Sequence, residues 1–446
     1  MKKIYSHIKF AIQYITESIG FYPTIIAVTF FGLAIFMLYL ESRGLSENVK
    51  DDLPFMIITN GETARLILSS ITTGIISLTV FSFTMVMLIL NQASANFTPR
   101  VIPSLISYRS NQVVLGFYLG TLIYTLVIMV NIRSEFYTIS LPGFSIFLAM
   151  CFAILCLAFF VYFIHSISQS IQIESILENI HRVTVNQLLN EIDRDKGSEV
   201  PNVFEHSGWH YLQSPRTGYL QGLDTGAVLD LCRKYDVVID FDQPMGSFLI
   251  KGIPFACVNK KVPDMEKFVK KLLGHVDFYR EERPDENYLF GFKHISESAV
   301  KALSPGINDP GTALKALDYL TDLFSLRMQL TDEKILYDED GAARIRFKHE
   351  TFEDVYSLTL SPIRLYGKSN SIIILRLLYL LRSLLFKVKE HPHLKPILYR
   401  EAVLLLEDTD ENIANSGDRE KIDRQVKEIN QMQVFTQELP RLKKRP

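Results

Sequence analysis

Four long apolar runs dominate the first third of the chain: residues 22–40 (YPTIIAVTFFGLAIFMLYL), 66–90, 112–131 and 142–164 (PGFSIFLAMCFAILCLAFFVYFI). Each reaches roughly the 20 residues with which an α-helix crosses a hydrocarbon core. None contains Asp, Glu, Lys, Arg or His. The fourth run continues with helical periodicity to about residue 192, and breakers come only at Gly197 and Pro201, so a helical stalk is expected over 166–200. Ahead of the first run, Ile4, Ile8, Ala11, Ile12, Ile15 and Ile19 recur at helical spacing beside Lys2, Lys3 and Lys9. That pattern predicts an interfacial helix over 1–20.

From residue 201 the pattern changes. GYLQGL, VVIDFD and SFLIKGIPFACV alternate or cluster apolar residues between glycines, around a helical TGAVLDLCRKYD. A small β-rich module is expected over 201–262. Beyond it helices are predicted over 264–277, 286–303, 310–327, 350–367, 371–388, 394–407 and 418–437, with a turn or hairpin insertion at LYDEDGAARIRF. The run SIIILRLLYLLRSLLF is too short for a fifth span and holds Arg376 and Arg382, so it reads as the centre of a helical bundle. The expected fold is mainly α: a four-helix transmembrane domain over 21–165, and a cytoplasmic domain with a small β module and a helical bundle over 263–446.

Orientation follows from the basic residues of the short segments. Lys2, Lys3 and Lys9, then Arg100 and Arg109, would lie inside; the acid-rich loop with Glu41, Glu47, Asp51, Asp52 and Glu62 would lie outside. Both termini are then cytoplasmic at a bacterial inner membrane. Cys151, Cys156, Cys232 and Cys257 show no disulfide or CxxC spacing, which suits reduced thiols. A net charge of −2 gives no basic excess for nucleic acid.

In the second span, Thr63, Ser70, Thr73, Gly74, Ser77 and Thr84 fall on one stripe at about 100° per residue, and Asn91 continues it. Such a face either lines a wet pathway between several copies of the chain or forms a hydrogen-bonding seam on which helices pack. Gly116 and Gly120 in GFYLG have the GxxxG spacing of close helix packing. The absence of an ionisable residue within the spans speaks against an ion-coupled transporter.

The soluble part has no Walker loop, GxGxxG, HExxH or nucleophile elbow. His206 and His210 in HSGWH are spaced to grip a metal on a helix, but Gly208 weakens that helix. No catalytic, cofactor or metal set is therefore expected, and the chain reads as a non-enzyme. GSFLIKGIPFACV is similar over a dozen residues to the hairpin of biotinyl and lipoyl barrels, without their modified-lysine tip. ALSPGINDPGTAL packs turn residues between two helices. A helix stops near Leu303, Pro305 and Gly306 turn the chain, and Asp309 caps a helix whose first residue is Pro310. As a site, Ser304, Asn308, Asp309 and Thr312 would offer convergent polar groups instead.

ALSPGINDPGTA, preceded by LFGFKHISESAVK, resembles the hallmark of a bacterial family of predicted membrane proteins, domain of unknown function number two thousand two hundred fifty-four. NQASANFTPRVIPSLISYRSNQVVLGFYLGTLIYTLVIM and GYLQGLDTGAVLDLCRKYDVVIDFDQPMGSFLIKGIPF match it in the same order. The resemblance implies an inner-membrane protein with four spans and a cytoplasmic domain, and no assigned activity. The expected partners are the lipid bilayer and further copies of the chain, and no nucleic acid. The expected function is a homo-oligomeric channel or channel-like protein; the alternative is a membrane-anchored sensor or scaffold whose cytoplasmic domain binds a partner.

Overall fold

The computed structural model describes residues 20–43, 46, 58, 60–96, 109–132, 141–170, 173–195, 208–279 and 287–443. The interfacial helix expected over 1–20 falls, but for Gly20, outside them. The chain divides into two compact units, Met1–Ala95 with Val101–Ser175, and Asn96–Arg100 with Ile176–Pro446.

The N-terminal unit is built on α1 (Phe21–Glu41), α2 (Gly61–Asn96), α3 (Arg109–Asn131) and α4 (Gly143–Ser170). All four contain stretches long and apolar enough to cross a membrane. Phe30 of α1 packs edge-on against Phe117 of α3 and beside Phe152 of α4. Ala34, Met37, Tyr124, Ile128, Ile146 and Ala149 complete this core. Gly116 and Gly120 face α1: a Cβ at Gly116 would lie 2.8 Å from Ile26 Cδ1 and 2.9 Å from Pro23 Cα, and one at Gly120 2.7 Å from Phe30 Cγ. The two helices therefore approach more closely than any larger residue would permit. α2 is different. Among its described side chains a thin edge of Ala64, Leu68, Ile75 and Ser82 is buried. Of its most apolar stretch 11% is buried, against 44% for α3.

The stalk expected over 166–200 is described as the end of α4 and as α5 (Ile173–Asp195). Residues 171 and 172, where continuity would be decided, lie outside the described residues. From Ile176 onward α5 belongs to the C-terminal unit. Ile176, Leu177, Ile180, Leu188 and Ile192 turn one buried face inward, as their three-to-four-residue spacing requires.

In the C-terminal unit β1 (His210–Gln213), β2 (Gly218–Leu223), α6 (Thr225–Tyr235), β3 (Ile239–Phe241), β4 (Phe248–Leu249) and β5 (Pro254–Val258) come first. α7 (Met265–Leu272), β6 (Val276–Tyr279), α8 (Tyr288–Ala302), α9 (Pro310–Arg327), β7 (Glu333–Tyr337) and β8 (Ala343–Lys348) follow, then α10 (Phe352–Gly367), α11 (Ser371–Lys387), α12 (Lys395–Asn412) and α13 (Ser416–Gln431). The strands form a five-stranded sheet, β1-β5-β3-β8-β7, and a three-stranded sheet, β4-β2-β6. Among the described residues only β3 and β8 run parallel; the other pairings are antiparallel.

Two expectations change here. The β module is not confined to 201–262, because β6 and the β7–β8 hairpin supply strands from within the helical region. Nor is GSFLIKGIPFACV a hairpin like that of the biotinyl and lipoyl barrels. β4 pairs with β2 in one sheet, while β5 pairs with β1 and β3 in the other. Gly252, at φ +85°, turns the chain from one sheet to the next.

The helices pack on an aromatic cluster: Phe324 of α9 meets Phe292 of α8 at 4.9 Å and Phe352 and Tyr356 of α10 at 5.6 and 5.4 Å. α11 buries Ile373, Ile374, Leu377, Leu378, Leu381, Leu384 and Leu385 at the bundle centre. Its two arginines reach outward to acids, Arg376 to Asp318 at 3.0 Å and Arg382 to Glu428.

Candidate functional site

On α2, Ser70, Thr73, Ser77, Thr84 and Asn91 are all exposed, and so is Gly74. Among the described residues the face is largely open, though Phe81 on the same stripe packs edge-on against Phe160 of α4 at 5.6 Å. Three of its hydroxyls bond locally: Thr73 donates to the Ser69 carbonyl at 2.9 Å, Ser77 to the Thr73 carbonyl at 3.0 Å and Thr84 to the Val80 carbonyl at 2.9 Å. Each bond closes on the preceding helical turn and leaves the hydroxyl oxygen able to accept another. From Ser70 to Asn91 the stripe rises about 32 Å at 1.5 Å per residue, close to the thickness of a hydrocarbon core. Ser70 also borders an open groove of about 390 Å³ beside Ile67, Ile71, Met150 and Ile154. The hydroxyl pair that does join two helices is off the stripe, Thr72 donating to Thr125 of α3 at 3.3 Å.

Glu41 lies one residue past the first apolar run, so the hydropathy pattern places it in the loop, yet it ends α1 as a buried carboxylate. Glu41 accepts from the Ser145 amide at 2.9 Å and from its hydroxyl at 3.0 Å, and from the Ser46 hydroxyl at 2.5 Å. Ser46 in turn accepts from the Phe144 amide at 3.0 Å. Between them they take two of the amides that the first turn of α4 leaves without helical partners.

The Ser304–Thr312 loop closes on itself. Asp309 caps α9, accepting from the Thr312 amide at 3.2 Å and the Thr312 hydroxyl at 2.5 Å, and Pro310 is the first helical residue. These bonds, the one from the Thr312 hydroxyl foremost, hold the Asp309 carboxyl below its ordinary value of 3.8. The Asp309 amide donates to the Ala302 carbonyl at 2.8 Å and the Asn308 amide to the Ser304 carbonyl at 2.9 Å. Ser304 donates to the Lys301 carbonyl at 2.6 Å. The left-handed residue is Asn308, at φ +49°, and not Gly306. Asparagine is among the few non-glycine residues that tolerate that region. Ser304, Asp309 and Thr312 thus spend their polar groups on the two helix ends, and Pro305 and Gly306 stand exposed beside them.

The metal reading of the sequence changes in the fold, and a cluster that the sequence does not show comes together. His206 lies outside the described residues; Gly208 adopts φ +85° and His210 opens β1, so a helical His pair is not formed. Cys257, which reads as isolated along the chain, lies with Asp240 and Asp242 in a cluster whose ligand atoms fall within 4.8 Å of one another. Both acids already face cations: Arg346 holds Asp240 through two nitrogens, and Lys348 lies 3.7 Å from Asp242. Burial, with Asp242 and Asp240 adding to it, pushes the Cys257 thiol up to about 12. A protonated thiol beside neutralised acids is an ion-pair anchor between β3 and β8, and a poor metal site.

A family model described as Predicted membrane protein (DUF2254) matches residues 16–383. Over 340 residues the chain is 24% identical to an uncharacterized protein of Mycobacterium bovis and to two of Mycobacterium tuberculosis. The match covers 72% of this chain and 63% of each relative, so the chain spans less than two thirds of their length. No solved structure matches the chain.

Proposed function

We propose, for a chain that belongs to the DUF2254 family of predicted membrane proteins, a homo-oligomeric channel or channel-like protein of the bacterial inner membrane. In this reading α2 borders the axis, both termini are cytoplasmic, and the C-terminal unit assembles or gates the pore. The observation that carries it is the largely open face of α2. A membrane helix gains little from hydrophobic burial and is held by packing and polar contacts. Among the described residues α2 has a thin packed edge, while its hydroxyl stripe is long enough to cross the bilayer and stands largely exposed. Neighbouring copies around a hydrated axis supply its cover.

The test is particle mass in detergent together with conductance in planar bilayers. An oligomer that conducts, and whose conductance falls when Ser77→Leu places an apolar side chain on the stripe, is the expected result. A monomer that passes no current, or a current indifferent to Ser77→Leu, would remove the reading.

One observation favours the second reading, a membrane-anchored sensor or scaffold. α11 leaves Ile372, Tyr379 and Phe386 exposed at seven-residue spacing, and α10 leaves Leu358 and Leu365 so. Heptad-spaced apolar residues on a surface are what a partner helix packs against. A heterologous protein that co-purifies stoichiometrically with the full chain, and is lost in Phe386→Glu, would establish it.

A further inference from the structure

The C-terminal unit contains a cavity of about 580 Å³, in the range that holds small organic ligands. One wall is apolar, formed by Leu223, Met245, Leu289, Leu336 and Phe347. Another carries Lys334 of β7, whose side chain is nine-tenths buried. Its nearest acidic oxygen is Glu191 Oε2 of α5, at 3.6 Å. That distance gives Coulomb attraction without a hydrogen bond, so the ammonium keeps three donors and no acceptor at bonding range among the described residues. Lys334 lines the cavity, where water or an anionic guest can supply the acceptor that Glu191 does not. The first turn of α8, at Tyr288 and Leu289, opens into the same cavity and adds the positive end of its dipole.

We infer that this cavity binds a small organic monocarboxylate, with the carboxylate on Lys334 and an apolar body against Leu223, Met245, Leu336 and Phe347. The charge of the walls limits the guest to one negative charge. Glu191 and Glu350 line the cavity as well and would repel a phosphate dianion. Burial, then Asp354, holds the Glu350 carboxyl above the usual range against the pull of Arg327, which lessens its repulsion of a bound monoanion. Arg327, fully buried, fixes the floor by donating to the Glu350 carbonyl at 2.6 Å and to Asp332 at 2.8 Å.

The site is independent of the pore reading, and its test needs no conductance. The full chain in detergent is titrated with hexanoate, hexanamide and inorganic phosphate, by thermal melting and calorimetry. Hexanoate is expected to raise the melting temperature saturably, and the amide and phosphate to leave it unmoved. Lys334→Met is expected to weaken hexanoate by about tenfold or more, the worth of a lost charge-assisted hydrogen bond. Should that variant fail to fold, Leu223→Trp fills the cavity from its apolar side. Hexanoate binding abolished in a Leu223→Trp protein of ordinary melting behaviour upholds the site. Equal binding of the amide, no binding of hexanoate, or unchanged binding in Lys334→Met or Leu223→Trp overturns it.

Discussion

At the residue scale, Asp309 shows what a sequence pattern can and cannot determine. Asp before Pro before a helical run specifies a cap, because an oxygen is needed for the free amides and a missing N–H costs nothing at the first position. Which residue enters the left-handed region is not so specified. Gly306 is the natural candidate, and Asn308 takes it, because the bond from the Asp309 amide to Ala302 turns the chain there. Asp309→Ala is expected to lower stability by about 0.5–2 kcal/mol in chemical denaturation, and Asp309→Asn to be nearly neutral at pH 7. The sign of the pH effect follows from the lowered carboxyl. Its contribution is complete above the ordinary value of 3.8 and disappears as pH falls through the depressed folded value. Melting curves of wild type and Asp309→Asn, nearly coincident at pH 7, should therefore separate in that acid window, with wild type the less stable. Curves that stay coincident through it would rule the cap's charge out as a source of stability.

At the element scale, helices were legible because their signals are local, and strand partners were not. The helix α9 runs Pro310–Arg327 over the span its periodicity and caps predict. LYDEDGAARIRF reads as a turn or hairpin insertion, yet its second strand, β8, lies parallel to β3, more than a hundred residues earlier. Buried Asp240 and Arg346 face each other at that junction. Nothing local in either strand announces the pairing. Close helix contacts divide in the same way. GxxxG on α3 is visible in sequence, whereas Gly291 of α8 stands alone. A Cβ there would lie 1.8 Å from Thr184 Oγ1 and 2.8 Å from Thr184 Cβ of α5. Gly291→Ala should therefore destabilise the protein by about 1–3 kcal/mol through overpacking. Thr184→Ala should restore part of that loss in a double-mutant cycle. Strict additivity of the two changes would mean that α5 and α8 do not meet at this point.

At the scale of the whole molecule, the described chain leaves two surfaces largely open: the hydroxyl face of α2 and the apolar rows of α10 and α11. A soluble surface seldom spaces large apolar residues in heptads without a partner. If copies of the chain meet through α11, Phe386→Glu should reduce particle mass in light scattering. Its effect on thermal stability should stay within about 0.5 kcal/mol, since the residue is 68% exposed. An unchanged mass would leave that row to a different protein.

The amino-acid sequence alone determined four membrane-length helices, a helical bundle after a β-rich segment, and the family. Length, periodicity and capping are properties of neighbouring residues and survive in one dimension. The tertiary structure alone decided that Ser70, Thr73, Ser77, Thr84 and Asn91 of the α2 stripe are exposed and that Glu41 caps α4. It also decided that Asp240 and Arg346 pair across parallel strands and that Lys334 is buried in a cavity with one acid just beyond bonding range. Each of these depends on residues distant in the chain, and their burial and charge balance exist only once the fold has brought them together.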